Sequence, residues 1–97
     1  MLSFAMNFIK EAFPTTVEGQ PGFRYVLRTN THGHSLAFFK RLQREIFRDF
    51  NCEIPEDELE IVHYGGRSYR GTFGIEFILA GEKHPAYDEI SRLELKL

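Results

Sequence analysis

Apolar and polar residues alternate most cleanly between Thr72 and Leu79. Phe73, Ile75, Phe77 and Leu79 fall on one side of an extended chain, and Thr72, Gly74, Glu76 and Ile78 fall on the other. A period of two with one apolar face predicts a half-buried β-strand. A second apolar stretch, Glu58 to Tyr64, precedes it across the loop Gly65-Gly66-Arg67-Ser68-Tyr69-Arg70-Gly71, so Glu58 to Leu79 is expected to form a β-hairpin. From Phe23 to Thr29 the same period places Phe23, Tyr25 and Leu27 on one face and Arg24, Val26 and Arg28 on the other. Arg92-Leu93-Glu94-Leu95-Lys96-Leu97 also alternates strictly and predicts a half-exposed strand.

Two stretches carry helical spacing instead. Leu36, Phe39, Leu42 or Gln43, Ile46 and Phe50, flanked by Phe38 and Phe47, predict a helix over residues 36–50. The polar run Asn30-Thr31-His32-Gly33-His34-Ser35 opens it, and Asn51, a residue that tolerates the left-handed conformation, closes it. Near the N-terminus, Phe4, Ala5, Phe8, Ile9 and Ala12 form a second stripe. With Ser3 as cap and Pro14 as stop, they predict a short helix over residues 4–13. Residues 14–22, rich in Thr, Gly and Pro, read as a loop. Pro85 to Ile90 reads as about one helical turn with proline at its first position.

The expected fold is therefore a single α+β domain: an N-terminal helix within residues 1–14, then an α+β core over residues 23–97. From its first strand onward the core reads β-α-β-β-(short α)-β, the split βαβ pattern of ferredoxin-like domains. Helices on one face of an antiparallel sheet would bury the apolar side of each strand and leave the other to solvent.

Composition narrows the function classes. Hydrophobic residues make up 42% and charged residues 27%, the balance of a globular domain rather than a disordered segment. Ten Phe, four Tyr and no Trp supply the aromatics, and most of the Phe rings, which have no polar handle, are expected in a core. A net charge of −2 provides no global field toward nucleic acid or a membrane. The single Cys52 excludes an internal disulfide; beside Glu53 and the negative end of the long helix, its thiolate would be disfavoured. Asn7, Lys10 and Glu11 interrupt the first apolar run, so it reads as an amphipathic helix rather than a signal peptide. No run reaches the roughly 18 residues of a membrane span. A cytoplasmic protein without a membrane partner is expected.

Arg70-Gly71-Thr72-Phe73-Gly74-Ile75-Glu76-Phe77 resembles the RNP1 segment of RNA-recognition motifs, with Arg70, Gly71, Ile75 and Phe77 in the matching places. In that family the third and fifth positions stack bases on the open sheet face. Here they are Thr72 and Gly74, so the resemblance supports a strand and argues against base stacking. The hairpin loop remains a candidate contact through Arg67, Tyr69 and Arg70, with Tyr64 at its base; Tyr and Arg are enriched at protein interfaces. Lys40, Arg44 and Arg48 stand four apart on the long helix with Arg41 beside them, a stripe that can meet phosphate or simply be solvated. The acidic run Glu53 to Glu60 would attract a basic partner.

His32-Gly33-His34 resembles the His-x-His of rolling-circle nucleases, with His63 or His84 as a further ligand. That family has a hydrophobic middle residue, whereas Gly33 stands here. The sequence contains no phosphate-binding glycine loop, paired-cysteine motif or nucleophile elbow. The expectation is a small non-catalytic protein-binding module, a regulator or inhibitor that occludes a partner surface and needs no cofactor or metal. In size and charge layout it resembles small inhibitors of phages and other mobile elements. RNA or single-stranded DNA binding through residues 65–71 and the basic stripe is the first alternative, and a metal-dependent nuclease using His32 and His34 the second. The alternating C-terminal strand could also pair with a second copy.

Overall fold

The computed structural model describes residues 5–29, 36–51, 58–64, 72–88 and 91–96. Its elements are β1 (Ala5–Val17), β2 (Gln20–Thr29), α1 (Leu36–Phe50), β3 (Glu60–Tyr64), β4 (Thr72–Ala80) and β5 (Ser91–Lys96). The strands form one five-stranded sheet in the order β3-β4-β2-β1-β5, with every neighbouring pair antiparallel. α1 packs on one face, and this helix follows the second strand.

The expected N-terminal helix is a strand. Residues four apart share a face in a helix, but four is also an even number, so they share a face in a strand as well. Phe8 and Ala12 thus satisfy both periods, and both are buried beneath α1. Ile9, an odd step away, turns to the opposite face. The expected loop over residues 14–22 is the tip of a β1–β2 hairpin. It closes through the two residues Glu18 and Gly19, with φ of 50° and 80°. Positive φ at both central residues is what a type I′ turn requires, and its twist matches that of the flanking strands.

The prolines that suggested a break obey the ladder. Closing on two residues makes Val17↔Gln20 a hydrogen-bonded pair, and every second pair after it bonds likewise. Pro14↔Phe23 and Thr16↔Pro21 are the alternate pairs, where neither proline nitrogen faces its β1–β2 partner.

The ferredoxin-like order is also overturned. In that arrangement the last strand pairs directly with the first strand of the βαβ unit; here β1 sits between β5 and β2. The expected helical turn at Pro85 is a single β-turn in which the Tyr87 N–H donates to the His84 carbonyl. Residues 89 and 90 lie outside the described residues. By contrast, α1 keeps the bounds that its periodicity predicts, and Asn51 follows it at φ 46°.

Phe8, Tyr25, Leu27, Leu42, Ile46, Ile75, Phe77 and Tyr87 make the core between α1 and the sheet. Tyr25 is its hub: Phe77 stacks on it at 5.3 Å, and Phe50 and Tyr87 meet it edge-on at 5.2 and 5.3 Å. Such edge-to-face and offset pairs each add to plain area burial.

Two substitutions test this hairpin. A Cβ on Gly22 would lie 2.6 Å from the Leu79 carbonyl oxygen and 2.7 Å from Val17 Cγ2. Because the first is backbone and cannot swing away, Gly22→Ala is expected to cost about 1–3 kcal/mol in urea denaturation. Glu18→Asn should stabilise by up to about 1 kcal/mol, since Asn accepts the left-handed conformation that Glu resists.

Candidate functional site

One cation lies on the buried side of β1. Lys10 stands opposite Leu27 and is 2% exposed. Its Nζ is 2.7 Å from Glu45 Oε1 and 2.6 Å from Asp49 Oδ2. Glu45 and Asp49 are one helical turn apart, so α1 presents both carboxylates to the same point. Arg48 bonds Glu45 and lies 3.7 Å from Asp49, so two cations and two carboxylates balance. Lys10 Nζ also sits 5.4 Å from the centre of the Tyr87 ring, within cation–π range.

Tyr87 is fully buried, and its hydroxyl lies beside the Asp49 carboxylate without closing a hydrogen bond to it. Burial pushes its phenol well above the ordinary value, and the negative charges of Asp49 and Glu45 push it the same way. The segment over residues 81–88 is tied down from both sides. The His84 N–H donates to the Tyr25 hydroxyl at 3.1 Å, and that hydroxyl donates to the Glu82 carbonyl at 3.3 Å. Ala86 N–H donates to His84 Nδ1 at 3.0 Å, which places the ring proton on Nε2. Nε2 then donates to the Asp49 carbonyl at 2.7 Å, at the end of α1. Lys10, Glu45 and Tyr87 are buried at the centre of this cluster, and its bonds position α1.

The other face of the sheet is uncovered by α1, and the register arranges it in rows. Phe13, Arg24 and Ile78 lie side by side across β1, β2 and β4. Glu11, Val26, Glu76 and Glu60 form the next row, and Ile9, Arg28 and Gly74 the one after. Arg24 bonds Glu76, and Arg28 lies 3.6 Å from Glu11, so both arginines are matched diagonally to carboxylates of the middle row. Val26, between these two pairs in the register, is buried although it belongs to the open face. Arg24 also lies over the Phe13 ring at 4.6 Å. Phe13 is 37% exposed and Ile78 52%. Arg24, Glu58, Glu60, Glu76, Phe77 and Ile78 line a cleft of about 420 Å³ at the β4 side.

The sequence-derived candidates are scattered over this frame. Tyr64 ends β3 opposite Thr72, while Arg67, Tyr69 and Arg70 lie outside the described residues. Lys40 and Arg44 are exposed on α1. Arg48 is exposed but engaged with Glu45 and Asp49, and Arg41 is half-buried with an unpartnered Nε. Arg24 and Arg28 occupy the face opposite α1, so the two basic groups do not merge. His32 and His34 lie outside the described residues, and His84 is held against the Asp49 carbonyl in the last turn of α1. Among the described residues no group of three His, Cys, Asp or Glu could hold a metal ion. No helix among them is long and apolar enough to cross a membrane.

Sequence reasoning missed Lys10, Glu45, Asp49 and Tyr87 as a unit. The available signal was Lys10 itself, the one charge on the Phe8–Ala12 face once that stretch is read with a period of two. Lys10→Met is expected to cost about 3–5 kcal/mol in urea denaturation, because it leaves two buried carboxylates with only the exposed Arg48 as counter-charge. Adding Glu45→Gln and Asp49→Asn should recover part of that loss.

Comparison of the chain with protein-family models, with curated proteins and with solved structures finds no match.

Proposed function

We propose that this chain is a protein-binding module that docks a partner on the open face of its sheet, and regulates or inhibits that partner by covering its surface. The supporting observation is the row Phe13–Arg24–Ile78: two exposed apolar side chains with an arginine between them and stacked on the ring. Arginine and aromatic residues are the types that dominate binding energy at protein interfaces. The loop residues Arg67, Tyr69 and Arg70 fall outside the described residues, so this face carries the reading instead.

The ion pairs favour a protein over a nucleic acid. Binding to a phosphate backbone rests on cations that exchange mobile counterions for phosphates. Arg24, Arg28 and Arg48 already hold carboxylates of their own chain, and a polyanion would have to break those pairs. A protein surface can dock over Phe13 and Ile78 and leave them intact.

Affinity capture with the tagged chain tests the reading. Proteins retained by the wild type should be lost by a Phe13→Asp, Ile78→Asp variant of unchanged circular dichroism. They should be retained by a Lys40→Ala, Arg44→Ala variant. Equal retention by the open-face variant would remove the assignment. RNA or single-stranded DNA binding at low salt that weakens steeply as salt rises would replace it with the nucleic-acid reading.

A further inference from the structure

β5 is an outer strand of the sheet, and among the described residues nothing pairs with its outward edge. The parity set at the Glu18–Gly19 turn determines which of its backbone groups are free. On β1, residues at the parity of Val17 bond to β2, so Met6, Phe8 and Lys10 turn their backbone groups toward β5. Their partners there are Leu95, Leu93 and Ser91. The outward N–H and C=O groups therefore belong to Arg92, Glu94 and Lys96, a run of charges that reads plus, minus, plus.

We propose that β5 pairs antiparallel with β5 of a second copy about a two-fold axis at Leu93, which joins the two sheets into one. In that register Arg92 stands opposite Glu94 of the copy, and Glu94 opposite its Arg92, both at hydrogen-bonded pairs. Leu93 meets its own counterpart at a non-hydrogen-bonded pair, where opposed residues come closest. Opposite charges directly across a ladder stabilise it, and like charges destabilise it.

Other registers fail on the same ground. An axis at Glu94 would oppose Glu94 to itself and Arg92 to Lys96. A one-residue slip would mate charged positions with leucines and exchange the faces of the strand. An axis at Leu95 matches charge but, within Ser91–Lys96, makes three residue pairs against five for the axis at Leu93. The run is complementary to itself, which singles out a second copy as the occupant. A two-fold contact also closes on itself: it uses up the β5 edge of both copies, so no further chain can add at that strand.

Sedimentation velocity on the full chain tests the pairing. The wild type should sediment as a species of twice the 11.3 kDa chain mass at high concentration and dissociate on dilution. Glu94→Arg opposes Arg to Arg92 of the copy and should raise the dissociation constant roughly tenfold or more. The triple variant Arg92→Glu, Glu94→Arg, Lys96→Glu reverses every charge, keeps the pattern self-complementary and should restore the dimer. A general weakening of β5 would not be repaired in this way. A wild type that stays at the monomer mass up to about 1 mM overturns the proposal. So does a dimer indifferent to Glu94→Arg, or a triple variant that folds but remains monomeric.

Discussion

A single ammonium group fixes how the two layers of this protein meet. An apolar face of a sheet accepts a helix at many angles and offsets, because burial depends on area and hardly on alignment. Lys10 removes that freedom. Once buried, its Nζ must be matched, and the two carboxylates within reach stand one turn apart on α1. Slide or rotate the helix, and a charge is left bare in a low-dielectric interior. Apolar side chains of similar volume could hold the layers as firmly. The ions contribute alignment, and Tyr25, Phe50, Phe77 and Tyr87 then pack in the one arrangement that alignment permits.

The segment after β4 is the second half of the same device. Its His84 ring reaches the last turn of α1 through the Asp49 carbonyl, and its backbone is hung on the Tyr25 hydroxyl. Asp49 is thereby gripped twice, by its side chain from β1 and by its carbonyl from the β4–β5 connection. A helix seated on a sheet needs restraint at its end as well as along its length, and these bonds supply it.

How much of this could be read from the chain depended on which period a stretch obeys without ambiguity. β4 was legible because its apolar residues fall at every second position, which no helix can imitate over so many residues. α1 was legible for the opposite reason: Phe39, Leu42, Ile46 and Phe50 mix steps of three and four. β1 was misread because Phe8 and Ala12 fit both periods and Pro14 suggested a stop. A proline is harmless on a strand wherever its nitrogen faces no partner, and only the hairpin register reveals that. The turn was missed because Glu18 is a poor residue for positive φ, so Gly19 was the whole of its signal. Once β1 was lost, Lys10 could not be seen as a core charge. The open-face row Phe13–Arg24–Ile78 vanished with it, because a row exists only between correctly paired strands.

The place of β1 within the sheet has a consequence for how the chain folds. The β1–β2 and β3–β4 hairpins join neighbours in sequence and can form early from local contacts. Pairing of β5 with β1 brings together residues separated by most of the chain, which is slow because a long loop must close first. Until then one edge of β1 is bare, and Lys10 keeps its water until α1 arrives. Dehydrating that one ammonium therefore belongs to the docking of the helix on the sheet, the step that brings Glu45 and Asp49 to it.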